Sequence, residues 1–187
     1  MSQRIVIEEL EQRLLLSADL TPVVGSIDVP GETDVFVFTL DERQTVYFDN
    51  QAGTPGLNWS LIGPSGAEVT NQALNTTDST ALPPVLSLGA GEYKLSVSGA
   101  GDATGTYRFR LMDLDNAAQV QSDTTVTGQL FPGSSTNLYS FIATSGEHVF
   151  VNQLSGGDDG SVTMRLFDPN GVQVSYGSFG DLNLPSL

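Results

Sequence analysis

Cysteine is absent from the 187-residue chain, and that single absence removes disulfide frameworks, thiolate metal sites and a thiol nucleophile. Histidine occurs once, as His148. A Ser-His-Asp constellation would have to rest on it, and its place at the start of a strand-like segment reads as solvent-facing. There is no G-x-S-x-G elbow, no H-E-x-x-H pair and no Walker loop. Catalysis is therefore not expected. Basic residues are scarce, 7 against 22 acidic ones for a net charge of −15. A phosphate backbone or an anionic membrane face repels such a chain, so nucleic acid is not an expected partner. No apolar run approaches the roughly 18 to 20 residues of a membrane-spanning helix.

What the chain does have is hydrophobic alternation of period two. GEYKLSVSG puts Tyr93, Leu95 and Val97 on one face against Glu92, Lys94 and Ser96, and GTYRFRLM puts Tyr107, Phe109 and Leu111 against Arg108 and Arg110. Three further segments, DVFVFTL, QTVYFDN and LNWSLIG, read as strands between Gly, Pro, Asn and Asp turn signals. The spacing is that of an all-β sandwich.

The pattern is then written a second time. DVFVFTL from Asp34 matches NLYSFIA from Asn137, and the same displacement carries TVYFDNQ from Thr45 onto HVFVNQL from His148. A slightly longer displacement carries WSLIGPSGAEV from Trp59 onto MRLFDPNGVQV from Met164. Both copies hold a turn in which Pro presets φ and Gly accepts a positive φ, at Pro64 to Gly66 and Pro169 to Gly171. A repeat this long indicates whole domains in tandem rather than a solenoid. Polar residues 115–122 form the natural linker. The expected organisation is a segment 1–21, a first sandwich 22–115, and a second, 123–187, that is incomplete because no counterpart of the strands bearing Tyr93 and Tyr107 follows Leu184-Pro185-Ser186-Leu187.

The strand order, the DPNG-like turn, the G-x-Y-x-L-x-V strand and the final G-x-Y-x-F strand resemble the bacterial pre-peptidase C-terminal domain family. The first copy matches from about Val23 to Leu114 and the second up to Leu187. The resemblance implies jelly-roll-like β-sandwiches, secretion, and a binding or spacing role rather than a reaction.

Ahead of the sandwiches, Ile5 to Ile7 and Leu14 to Leu16 are apolar runs too short for a secretory signal and are interrupted by Glu8, Glu9, Glu11 and Arg13. Ile7, Leu10 and Leu14 share one helical face, and Glu9 with Arg13 makes a favourable i, i+4 pair. A short amphipathic helix or a tail is expected. The residues Leu10, Glu11, Arg13, Leu15, Leu16, Ser17 and Ala18 resemble the LEPR-XLL element near the N-terminus of very large repetitive bacterial proteins, with Gln12 where that element has Pro. The resemblance implies a targeting or processing segment and a chain that is the front of something larger.

Two ligand classes remain. Calcium takes carboxylate and carbonyl oxygens, and its candidates are Asp102 in GAGDATG, Asp158 and Asp159 in GGDDG, and Asp168 in the DPNG turn. Each also reads as an ordinary turn aspartate, and no cofactor is otherwise expected. A glycan or matrix platform needs an exposed aromatic ring, but Trp59 lies on the apolar face of its strand, with Met164 as its counterpart, and reads as core. The reading is a non-catalytic spacer and adhesion module of a large extracellular or cell-surface bacterial protein, partnered by further repeats of its own chain. The alternative is a glycan- or matrix-binding accessory domain of a secreted hydrolase.

Overall fold

The computed structural model describes residues 12–14, 22–78, 84–154, 162–178 and 182–184. In chain order its strands are β1 Gln12–Leu14, β2 Val23–Ile27, β3 Thr33–Leu40, β4 Gln44–Gly53, β5 Leu57–Gly63, β6 Gly66–Ala73, β7 Val85–Leu88, β8 Gly91–Gly99, β9 Gly105–Asp113, β10 Ala118–Gln119, β11 Tyr139–Ser140, β12 Val149–Val151, β13 Thr163–Phe167, β14 Gln173–Ser178 and β15 Leu182–Leu184. Single 3-10 turns at Leu74–Thr76 and Leu114–Asn116 are the helical elements among the described residues. The chain divides into two compact units, one of residues 1–115 with 130–136, the other of residues 116–129 with 137–187.

The first unit is a sandwich of two sheets, ordered β1-β3-β8-β5-β6 and β2-β9-β4-β7. Every pairing is antiparallel except that of β1 with β3. The period-two segments supply the interior. Phe36 and Phe38 of β3, Val46 and Phe48 of β4, Trp59 and Leu61 of β5, Tyr93, Leu95 and Val97 of β8, and Tyr107, Phe109 and Leu111 of β9 share one buried cluster. Each such side chain contributes about 1.5–3 kcal/mol through burial.

Rings occupy the centre. Phe48 stacks on Trp59 with centroids 4.1 Å apart and on Phe109 at 5.1 Å, while Phe36 meets Phe109 edge-on at 5.8 Å. Trp59 also needs a partner for its one polar atom, and its Nε1 donates to Thr77 Oγ1 at 2.7 Å. Tyr93 stacks on Phe38 at 5.3 Å and donates its hydroxyl to Gly89 O at 2.9 Å. Burial first, and then the Glu68 carboxylate, raise its phenol above the usual range. Gly63 makes room for this ring, because a Cβ there would overlap it.

At the N-terminus the described residues depart from the helical expectation. Gln12, Arg13 and Leu14 run as a strand, parallel to β3 and paired with Val35, Phe36 and Val37. An edge strand offers a row of unpaired backbone groups. A three-residue ladder satisfies some of them, and the i, i+4 pairing of an isolated short helix is too weak to compete.

Among the described residues the second unit holds three two-stranded ladders. β13 pairs antiparallel with β14 around the Asp168-Pro169-Asn170-Gly171 turn, β12 pairs antiparallel with β15, and β10 pairs parallel with β11. Gly171 has φ of 78° and its N–H donates to Asp168 O at 2.9 Å, the left-handed position foreseen for that glycine.

Candidate functional site: a covered polar face

Alternation along β4 sends Val46 and Phe48 into the core and Tyr47, Asp49 and Gln51 to the outer side of the four-stranded sheet. On β9 the same rule sends Arg108, Arg110 and Met112 to that side. Register then brings opposite charges together, since Asp49 lies directly across from Arg110. Their ion pair is 2.7 Å long, and Arg110 Nε also donates to Asp49 Oδ2 at 2.8 Å. Gln51, displaced by an irregularity in the ladder between Asn50 and Ala52, donates its Nε2 to the same oxygen at 2.8 Å. Its Oε1 accepts from Arg108 Nε at 2.6 Å.

An outward-facing cluster of this kind is ordinarily wet, yet Asp49 is 0 % and Gln51 4 % exposed. Residues 130–136 lie against it. Ser134 Oγ donates to Gln51 O, and Arg110 Nη2 donates to Thr136 O at 2.8 Å. The segment is turned by the Ser135 N–H, which donates to Pro132 O at 2.9 Å. Two buried oxygens under this cover, Asp49 Oδ1 and Ser135 Oγ, have no hydrogen-bond partner among the described residues.

In chemical terms the carboxylate is held by an arginine and an amide. Its guanidinium and the neighbouring backbone carbonyl are suited to gripping an extended peptide. Removing one member of a buried ion pair typically costs about 3–5 kcal/mol, because the other charge is stranded. Arg110 keeps 16 % of its side chain exposed, which moderates that cost.

The residues singled out in the sequence fall elsewhere. Asp102 is exposed in the turn between β8 and β9 of the first unit. Asp168 is half-buried in the β13–β14 turn of the second, where its Oδ1 accepts from Val172 N at 2.8 Å and Asn170 N at 2.9 Å. Those bonds, that from Val172 foremost, hold its carboxyl below the usual range. Asp158 and Asp159 lie outside the described residues, as do Leu10, Glu11, Leu15, Leu16, Ser17 and Ala18, while Arg13 is in β1. Among the described residues no three His, Asp or Glu side chains group as a metal site would require. His148 is exposed just before β12, and Trp59, at 2 % exposure, is core and not a platform. Sequence reading passed over Asp49, Gln51, Arg108, Arg110 and Ser134. Acids and amides at alternate β4 positions, facing arginines at alternate β9 positions, were the available signal.

No protein-family model matches the chain, and no curated protein matches it. Among solved structures it is similar to the periplasmic inhibitor of g-type lysozyme from Salmonella Typhimurium, at 16 % identity over 54 % of this chain and 98 % of that one, with a TM-score of 0.39. It is also similar to the pre-peptidase C-terminal domain of a Bacillus anthracis collagenase, at 20 % identity over 54 % of this chain and 94 % of that one, again with a TM-score of 0.39.

Proposed function

We propose that the chain is a non-catalytic structural module of a large extracellular or cell-surface bacterial protein, spacing or presenting other domains in adhesion. Its domains in this reading are a leader at 1–21, a first pre-peptidase C-terminal-like sandwich at 22–115, and a second at 123–187. The leader acts in targeting. The carrying observation is the repetition of one ladder: β5 with β6 and β13 with β14 are antiparallel hairpins around matching Pro-x-Gly turns. A repeated ladder is what an array of spacers requires. Trp59, the aromatic residue weighed as a glycan platform, is committed to packing in the first unit. An acidic surface keeps such an array soluble and apart from its neighbours. Further repeats of the same chain are its natural partners.

The test is to insert one, two or four copies between a cell-surface anchor and a reporter adhesin. Reach of the reporter should grow with copy number, and the isolated chain should give no saturable signal on polysaccharide or collagen arrays. Saturable binding there, with reach independent of copy number, would overturn the spacer reading in favour of a ligand-binding accessory domain.

A further inference from the structure

We infer that the outer face of the β2-β9-β4-β7 sheet is a peptide-receiving surface whose occupant is this chain's own segment 130–136, held as a releasable strap. The first folded unit therefore takes in residues beyond the strand pattern that defines it.

Three observations carry this. The contacts are polar and specific: the Ser134 hydroxyl donates to Gln51 O, and Arg110, already paired with Asp49, donates to Thr136 O. The strap is not held as an apolar plug, since Phe131, its largest side chain, is 92 % exposed. Finally, the receiving face is peculiar to the first copy. In the internal alignment Asp49 and Gln51 correspond to Asn152 and Leu154, so the second copy lacks the carboxylate and the amide, and its outward Phe150 and Leu154 are exposed. The cluster is thus not a requirement of the repeated strand pattern.

Release follows from the same geometry. Asp49 Oδ1 and Ser135 Oγ are buried without hydrogen-bond partners among the described residues, and both regain water when the strap lifts. That gain offsets part of the bonds lost. The strap opens locally, without unfolding the sheets beneath it.

Hydrogen exchange on the full chain tests this. The Ser135 amide should exchange more slowly than in an unstructured peptide yet faster than the amides of β8. Arg110→Ala should speed it by about tenfold, the worth of one hydrogen bond to a charged group, and the β8 amides only by what the stranded Asp49 carboxylate costs the sandwich. Phe131→Ala should change neither. Should Arg110→Ala unfold the sandwich, a chain with residues 130–136 replaced by glycine and serine serves instead: Arg110 should then become more reactive toward phenylglyoxal than in the parent. Peptide-like exchange at Ser135 in the parent, or equal Arg110 reactivity in parent and replaced chain, would overturn the inference.

Discussion

The two units contain matching segments, yet among the described residues their ladders differ, and β8 and β9 of the first unit show what joins strands into a sheet. In the first unit β8 is bonded between β3 and β5, and β9 between β2 and β4. Each is interior to its sheet and couples strands that otherwise do not touch. In the second unit β13 pairs with β14, at residues aligned in sequence with β5 and β6, and β12 pairs with β15. No second copy of the β8 or β9 pattern occurs in the 187 residues. The described residues of the second unit form separate pairs, and an isolated two-stranded hairpin is marginal in water. Side chains aligned with buried ones are correspondingly uncovered. Tyr139 is 45 % exposed where Phe36 is 1 %, and Val174 is 52 % exposed where Val69 is 9 %. A sheet's cohesion therefore depends less on how many strands it has than on whether the central ones are present.

The severest way to break the contrast is to remove residues 91–113 from the first unit. Tyr93, Leu95, Val97, Tyr107, Phe109 and Leu111 leave the core together, each contributing about 1.5–3 kcal/mol by burial. Their sum is comparable with the about 5–15 kcal/mol net stability of a whole domain. Calorimetry of the deleted chain should show no cooperative transition, and a retained sharp transition would mean that β3, β4 and β5 cohere unaided.

A narrower cut compares aligned residues. Trp59→Ala should cost about 3–5 kcal/mol in denaturant unfolding of the first unit, as large aromatic truncations in cores do. Met164→Ala, on an uncovered ladder, should stay within about 0.5 kcal/mol. Equal costs would show that the second unit buries Met164 as the first buries Trp59.

Deleting residues 1–19 removes β1 and re-exposes the edge of β3. The ladder lost is three residues long, so the melting temperature of the first unit should fall only slightly, by about 2–4 °C or less. A larger fall would make the leader part of the fold. The same deletion should leave exchange in β12 and β13 unchanged.

The smallest effects are in pH and have opposite signs in the two units. Tyr93 has a phenol raised by burial, so its contribution is whole below the unfolded-state value near 10 and is lost as pH rises through the higher folded value. Alkaline titration should weaken the first unit more than a Tyr93→Phe chain. Asp168 is depressed by the Val172 N–H, so its contribution is present above the ordinary carboxylate value and lost as pH falls through the lower folded one. The Val172 amide resonance should report that titration at acid pH, and Asp168→Asn should abolish it.

Much of this fold was legible beforehand, for a physical reason. Strands buried on one face must alternate, and β3, β4, β5, β8 and β9 lie where the period-two segments predicted them. Trp59 read as core because Asn58 and Ser60 flank it. Other features resisted. β1 carried helical spacing and became a strand because the β3 edge was available, which is a tertiary circumstance. β7 is four residues long and offers too little alternation to register. The Asp49 cluster escaped because its meaning depends on register across β4 and β9 and on a segment some eighty residues downstream that hydrogen-bonds Gln51. Asp168 shows the ordinary alternative that its sequence already offered, an aspartate that tightens its own turn.

The placement of β8 and β9 also governs how such a chain comes into being. Both central strands are made last among the strands of their unit, so a nascent chain emerging N-terminus first exposes β3, β4 and β5 before anything can join them. Thr33 must wait for Ser98, and Val23 for Phe109. Pairings this distant in sequence fold slowly. A translating ribosome thus carries an unzipped intermediate with open edges until the final tyrosine-bearing strands appear.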